Sequence, residues 1–216
     1  MRNLALALTL AAGTGTLSLS AVQAQNEAPA LPGQVDVSRV TSGTYATDPG
    51  HSLVGWRANH FGFNDYFGLF GDVTGTLVLD AENIENSTVA VTIPVASVTT
   101  ASAGLTEHLL SPGQDGAAPD FFGPEPAPAT FTSTSIEANG DTTALITGDL
   151  TLNGQTHPVI IAATFTGAGA NPMSQAETVG FEGRAVIDRT AFGVSAFAPL
   201  VSSEVELDIT VAFEKQ

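Results

Sequence analysis

The sequence predicts an all-β fold, an antiparallel barrel of roughly eight strands with a short helix and a long loop over one end. Three features lead there. Apolar residues recur with period two in run after run. The runs are separated by turn signals such as Asn153-Gly154 and Ala138-Asn139-Gly140-Asp141, which make hairpins and not crossovers. No long helical period intervenes between them. A closed sheet removes the exposed edges that an open one would leave, although a two-sheet sandwich accommodates the same alternation.

From the N-terminus, Arg2, the apolar run Leu4 to Ala12 and the small-residue site Val22-Gln23-Ala24 read as a signal peptide over residues 1–24, too short in its apolar part to span a bilayer. Residues 25–42 contain Pro, Gly and Ala without periodicity and read as an N-terminal extension, a tether. The folded domain is expected over 43–216. Val54, Trp56, Ala58 and His60 share one face of a first strand; Val73, Leu77 and Leu79 follow, then Val89, Val91 and Ile93. After the long loop come Ala144, Ile146, Leu150 and Leu152, then Val159, Ile161, Ala163 and Phe165, then Val179, Phe181, Ala185 and Ile187. In the last strand Val205, Leu207, Ile209, Val211 and Phe213 alternate with Glu206, Asp208, Thr210, Ala212 and Glu214, one side wet and the other dry. Gly71, Gly75, Gly148, Gly180 and Gly183 fall inside these patterns, where they allow the coiling that a closed sheet needs.

One segment breaks the rhythm. Leu105, Leu109 and Leu110 have helical spacing, and Pro112, Pro119, Pro124, Pro126 and Pro128 then forbid a central strand. Residues 102–128 are therefore a short helix and a long connection. In a compact domain such a connection is a lid or an insertion, and Phe121 and Phe122 either line a lid or pin the loop to the core.

Twenty-two acidic residues against six basic ones give a net charge of −16. That field excludes nucleic acid, which needs a basic stripe, and disfavours an anionic bilayer surface. The absence of cysteine excludes both a lipid-anchoring cysteine and a disulfide framework. Export to the periplasm as a free, unanchored protein is the expectation. After the leader no apolar run is long enough for a membrane helix, and a transmembrane barrel would put Glu206, Asp208 and Glu214 against lipid.

Enzyme signatures are missing. There is no Gly-x-Ser-x-Gly elbow, phosphate-cradling glycine loop or His-Glu-x-x-His helix. Asp48, His51 and Ser52 stand too close in one turn to align as nucleophile, base and orienter. The four histidines, His51, His60, His108 and His157, match no metal spacing. His51 is expected to bond within its turn and His157 to be a solvated hairpin residue, whereas His60 and His108 adjoin apolar residues and suit a pocket. The protein is read as a non-enzyme that requires no cofactor.

Three blocks together resemble the YceI-like family: Asp48-Pro49-Gly50-His51-Ser52 with Trp56, His60-Phe61-Gly62 and Gly68-Leu69-Phe70-Gly71; Gly148-Asp149-Leu150-Thr151-Leu152-Asn153-Gly154-Gln155-Thr156-His157-Pro158-Val159; and Arg189-Thr190-Ala191-Phe192-Gly193. The resemblance runs from about Gly43 to Phe213. Leu105, Thr106 and Glu107 stand where the family typically carries a basic residue, and Pro112 to Pro119 resembles an insertion.

The resemblance implies a lipocalin-like barrel whose apolar interior binds an isoprenoid lipid, whether a polyprenyl chain, a quinone or a prenol. The implied lining is Trp56, His60, Phe61, Phe70, Phe121, Phe122, Phe131 and Phe192, with His108 and Arg189 near the polar end. Only Arg57 and Arg189 are placed to meet an anionic head group, so a neutral head is expected. Small interior residues such as Ala58, Ala144 and Ala163 disfavour a filled, ligand-free barrel. Monomer and homodimer are both compatible with the sequence.

Overall fold

A computed structural model describes residues 30–216; the expected signal peptide lies outside the described residues. Eleven strands form one antiparallel sheet: β1 (Gly43–Thr47), β2 (Leu53–His60), β3 (Asn64–Phe70), β4 (Thr74–Leu79), β5 (Thr88–Ile93), β6 (Thr99–Thr100), β7 (Ala129–Ala138), β8 (Thr143–Leu152), β9 (Gln155–Ala170), β10 (Glu177–Asp188) and β11 (Val201–Lys215). Among the described residues a single helix of the α type, α1 (Ala103–Leu109), lies between β6 and β7. The sheet closes because β11 pairs with β10 on one side and, on the other, with β2 along its first half and β1 at its end. β1 and β2 are thus one stave, β3 and β4 the next, and the barrel has the eight antiparallel staves expected from the alternation.

The broken stave explains the Asp48 to Ser52 block. Asp48 caps a 3-10 turn by accepting from Gly50 N, and its Oδ2 lies 2.7 Å from His51 Nδ1. The Ser52 side chain is fully buried and accepts from Ala212 N at 3.3 Å, while Asp48 N donates to Ala212 O at 2.8 Å. Those two bonds satisfy the backbone of β11 where its partner changes from β2 to β1. His51 projects into solvent outside the barrel.

The other two blocks interlock. Asn153 and Gly154, both at positive φ, make the tight hairpin between β8 and β9. Asn153 Nδ2 donates to Phe192 O, and His157 Nε2 lies 3.0 Å from Ala191 O with its ring edge-on to Phe192. His157 is therefore half-buried in a latch, not a solvated hairpin residue.

The N-terminal extension also differs from the tether expected. Gln34 pairs with Ala168 of β9, Arg39 donates to Pro32 O, and Val37 and Val40 reach the barrel interior. Of the extension's apolar side chains Val40 is half-buried against the core, whereas Leu31, Val35 and Val37 stay exposed.

At that rim Glu177 accepts from Thr41 N and Oγ1, lies 2.8 Å from the buried Tyr45 hydroxyl and 3.4 Å from Lys215 Nζ. Burial opposes its charge, but the Thr41 and Tyr45 hydrogen bonds and the lysine outweigh that and hold the carboxyl below its ordinary pKa. A carboxyl with a lowered folded pKa contributes stability that is complete above the unfolded value and lost as pH falls through the folded one. Glu177→Gln is therefore expected to lose about 1 kcal/mol at neutral pH. In thermal melts the gap from the parent should narrow as pH falls through and below the ordinary carboxylate range; a gap independent of pH would count against the ion network.

Candidate functional site

The inward faces of the staves enclose a cavity of about 1020 Å³. Pockets for drug-sized ligands span about 300–1,000 Å³, so this one stands at the upper limit. Its lining extends from His60, Phe121 and Phe197 at the helix-covered end to Glu82 and Asp141 at the opposite rim. Small side chains keep it open: Ala58, Ala144, Ala163, Gly183 and Ala185 all face it. The dry side of each predicted strand is the inner one, as in β11, where Val205 to Phe213 line the cavity and Glu206 and Asp208 face solvent.

Two glycines shape the wall by admitting aromatic rings. A Cβ on Gly68 would lie 2.2 Å from the indole of Trp56, its register partner, and one on Gly148 would lie 2.4 Å from the Phe131 ring. Both rings thus rest over the backbone of the neighbouring strand. At Gly148 this close approach, beyond the coiling expected of it, is what the missing side chain provides.

Of the residues singled out from sequence, Trp56, His60, Phe61, Phe70, His108, Phe121, Phe122, Phe131 and Arg189 all line the cavity. Phe192 does not. It is 2% exposed within the core cluster of Ala58, Phe131 and Val159, held there by the latch on His157. The long loop divides its two phenylalanines: Phe122 packs edge-on to Phe70 at 5.9 Å, while Phe121 joins His108 and Phe197 in a cluster of rings 5.4 to 6.2 Å apart. His108 Nε2 lies 3.1 Å from Asp120 Oδ2, and His60 stacks on Phe61 at 4.1 Å.

The two arginines behave differently from expectation. Arg57 points outward, paired with Glu206 and 3.7 Å from Asp65, because its position in β2 alternates with that of Trp56. Arg189 is 6% exposed, and its Nε, Nη1 and Nη2 donate to the carbonyls of Ser202, Val194 and Val201 at 2.8, 2.6 and 2.8 Å. Burial lowers its pKa, opposed by the charge of Asp188. Its first task is to fasten the segment between β10 and β11 over the cavity.

Sequence reasoning missed Phe165, Phe181 and Phe213 as a unit. They come from three adjacent strands and form a row of rings at 5.8 and 6.3 Å along the far half of the cavity. Their alternation was visible, but their convergence depends on strand pairing. Phe197 and Val194 carry no periodic signal, since they lie in the segment before β11.

No helix among the described residues is long and apolar enough to cross a membrane. The chain is 38% identical over 162 residues to the UPF0312 protein of Ectopseudomonas mendocina, covering 74% of this chain and 81% of that one. The fold superposes on the crystal structure of a Campylobacter jejuni YceI protein with a TM-score of 0.60 at 27% identity, over 73% of this chain and 90% of that one. It also superposes on a polyisoprenoid binding domain from Saccharophagus degradans with a TM-score of 0.56 at 13% identity, over 80% and 98% of the two chains, a likeness of fold alone. The YceI-like domain model matches residues 45–213, the span that builds the barrel and its cover, and the chain belongs to the YceI-like family.

Proposed function

We propose that this protein is an exported, periplasmic carrier or store for an isoprenoid lipid, which it holds in the barrel without transforming it. One observation carries the reading: a long, apolar, continuous cavity left open by small side chains in a barrel otherwise built to close. The solved S. degradans relative of the same fold is a polyisoprenoid binding domain, which supports the ligand class. At about 0.3 kcal/mol per non-hydrogen atom, a tail of roughly 40 carbons supplies on the order of 10 kcal/mol. The tail carries affinity, and the few polar groups at the covered end, His60, His108, Asn64 and Tyr66, orient the head.

A quinone or prenol suits these groups better than a diphosphate. Arg57 faces away from the cavity and Arg189 is engaged on three carbonyls, so neither offers the concentrated cationic donors that a diphosphate needs. The test is native mass spectrometry and solvent extraction of the purified protein, followed by competition between a quinone and a diphosphate of equal chain length. Extraction is expected to release an unmodified isoprenoid and to shift Trp56 fluorescence. Tighter binding of the diphosphate discards the neutral head, and a barrel that neither carries nor takes up any isoprenoid discards the reading.

A further inference from the structure

We infer that the helix-covered end of the barrel docks on a neutral lipid bilayer and exchanges its ligand there; this inference rests on the isoprenoid reading. Four large apolar side chains surround that end in solvent: Phe61 is 44% exposed, Phe63 86%, Phe197 50% and Leu200 64%. They belong to one surface. Phe61 N donates to Leu200 O, joining the β2–β3 turn to the segment before β11, and Phe197 contacts His108 and Phe121 at the cavity mouth. Phe61 and Phe197 also line the cavity, so the surface is continuous with the interior. An aliphatic ligand leaving along it would not cross water.

Backbone conformation points the same way. Phe61 and Phe197 both hold positive φ, at 56° and 59°, a region that bulky side chains disfavour. A fold keeps such residues where the surroundings over-determine them, often at working surfaces. Here both display a ring at the rim.

Charge decides which partner fits. In a chain of net charge −16, residues 61–64 and 190–200 contain no charged side chain. Asp65 is engaged by Arg57 and Asn59 and Asp120 by His108, whereas Glu107, Asp115 and Glu125 of the covering helix and loop are exposed, with no ion pair among the described residues. The opposite rim also carries Asp80, Glu82 and Asp141, and Glu177 stands beside Tyr45. The two uncharged aromatic rim segments can thus meet a neutral lipid surface, while the acidic cover beside them disfavours an anionic one. Phosphate-rich or polyanionic partners find no basic residue in either rim segment, and zwitterionic headgroups do not repel them. Aromatic side chains settle at such an interface.

The test uses flotation of the full chain with phosphatidylcholine vesicles. The parent is expected to co-float, and Phe63→Ser with Leu200→Ser, neither of which lines the cavity, should weaken partition about tenfold. Met173→Ser, which removes a 90% exposed side chain from the opposite rim, should leave it unchanged. Equal partition of parent and double variant, or no partition at all, overturns the docking. So does a parent dimer that the double variant makes monomeric without any vesicle binding, which assigns the face to a second copy. Uptake of a quinone from detergent, measured in parallel, is expected to be equal in parent and double variant. Its failure in the parent overturns the isoprenoid reading, whereas vesicle partition alone decides the docking.

Discussion

Ala144→Phe combined with Ala163→Phe is expected to abolish isoprenoid uptake while leaving the barrel folded. The two alanines are register partners on β8 and β9, both line the cavity, and neither is fully buried, so their methyl groups face open space and not packed neighbours. Two rings there obstruct the lumen on the side of Asp141 and the acidic rim. Excluding roughly a third of a 40-carbon tail removes on the order of 3 to 4 kcal/mol, a loss of several hundred-fold in affinity. Overpacking a filled core costs about 1–3 kcal/mol per site, but a site bordering a cavity escapes most of that penalty. Binding measured by quenching of Trp56 fluorescence, beside a thermal melt, separates the two effects. Unimpaired uptake by a folded double variant would mean that the ligand lies elsewhere.

Arg189→Met is expected to have the largest effect on stability. The variant keeps the aliphatic stem but strands three carbonyls, those of Ser202, Val194 and Val201, in a place where the arginine itself is 6% exposed. Unsatisfied buried acceptors cost about 1–3 kcal/mol each, and partial relaxation brings the sum to on the order of 3 to 5 kcal/mol. For a domain of this size that is a fall in Tm of roughly 10 °C. Arg189→Lys should recover little of it, because one ammonium cannot span three diverging acceptors as a planar guanidinium does. If the arginine instead served as a head-group anchor, Arg189→Met would weaken ligand binding at nearly unchanged Tm.

Much of the architecture was legible in the alternation. Every long run with period two became a stave, and the five prolines between Pro112 and Pro128 held that segment out of the sheet. The turns at Asn153-Gly154 and Asn139-Gly140 both join consecutive antiparallel strands as expected, although only the former uses positive φ. The extension at 31–42 and the segment before β11 were harder to read, because what holds them is pairing and packing with distant strands, which leaves no local period. His157 and Phe192 show the same limit. Each looked like a surface or a pocket residue from its neighbours in sequence, and each is half or wholly buried by the other's loop.

Alternation determines that each strand has a wet and a dry side, since a pleated strand must send successive side chains in opposite directions. It does not determine what the dry sides meet. Closure of β11 on β1 and β2 turned them toward one another around a cavity, sent Arg57 outside while Trp56 went in, and assembled Phe165, Phe181 and Phe213 from three strands. The register of non-local pairs decided all three, because side chains far apart in the chain become neighbours only when the sheet aligns them.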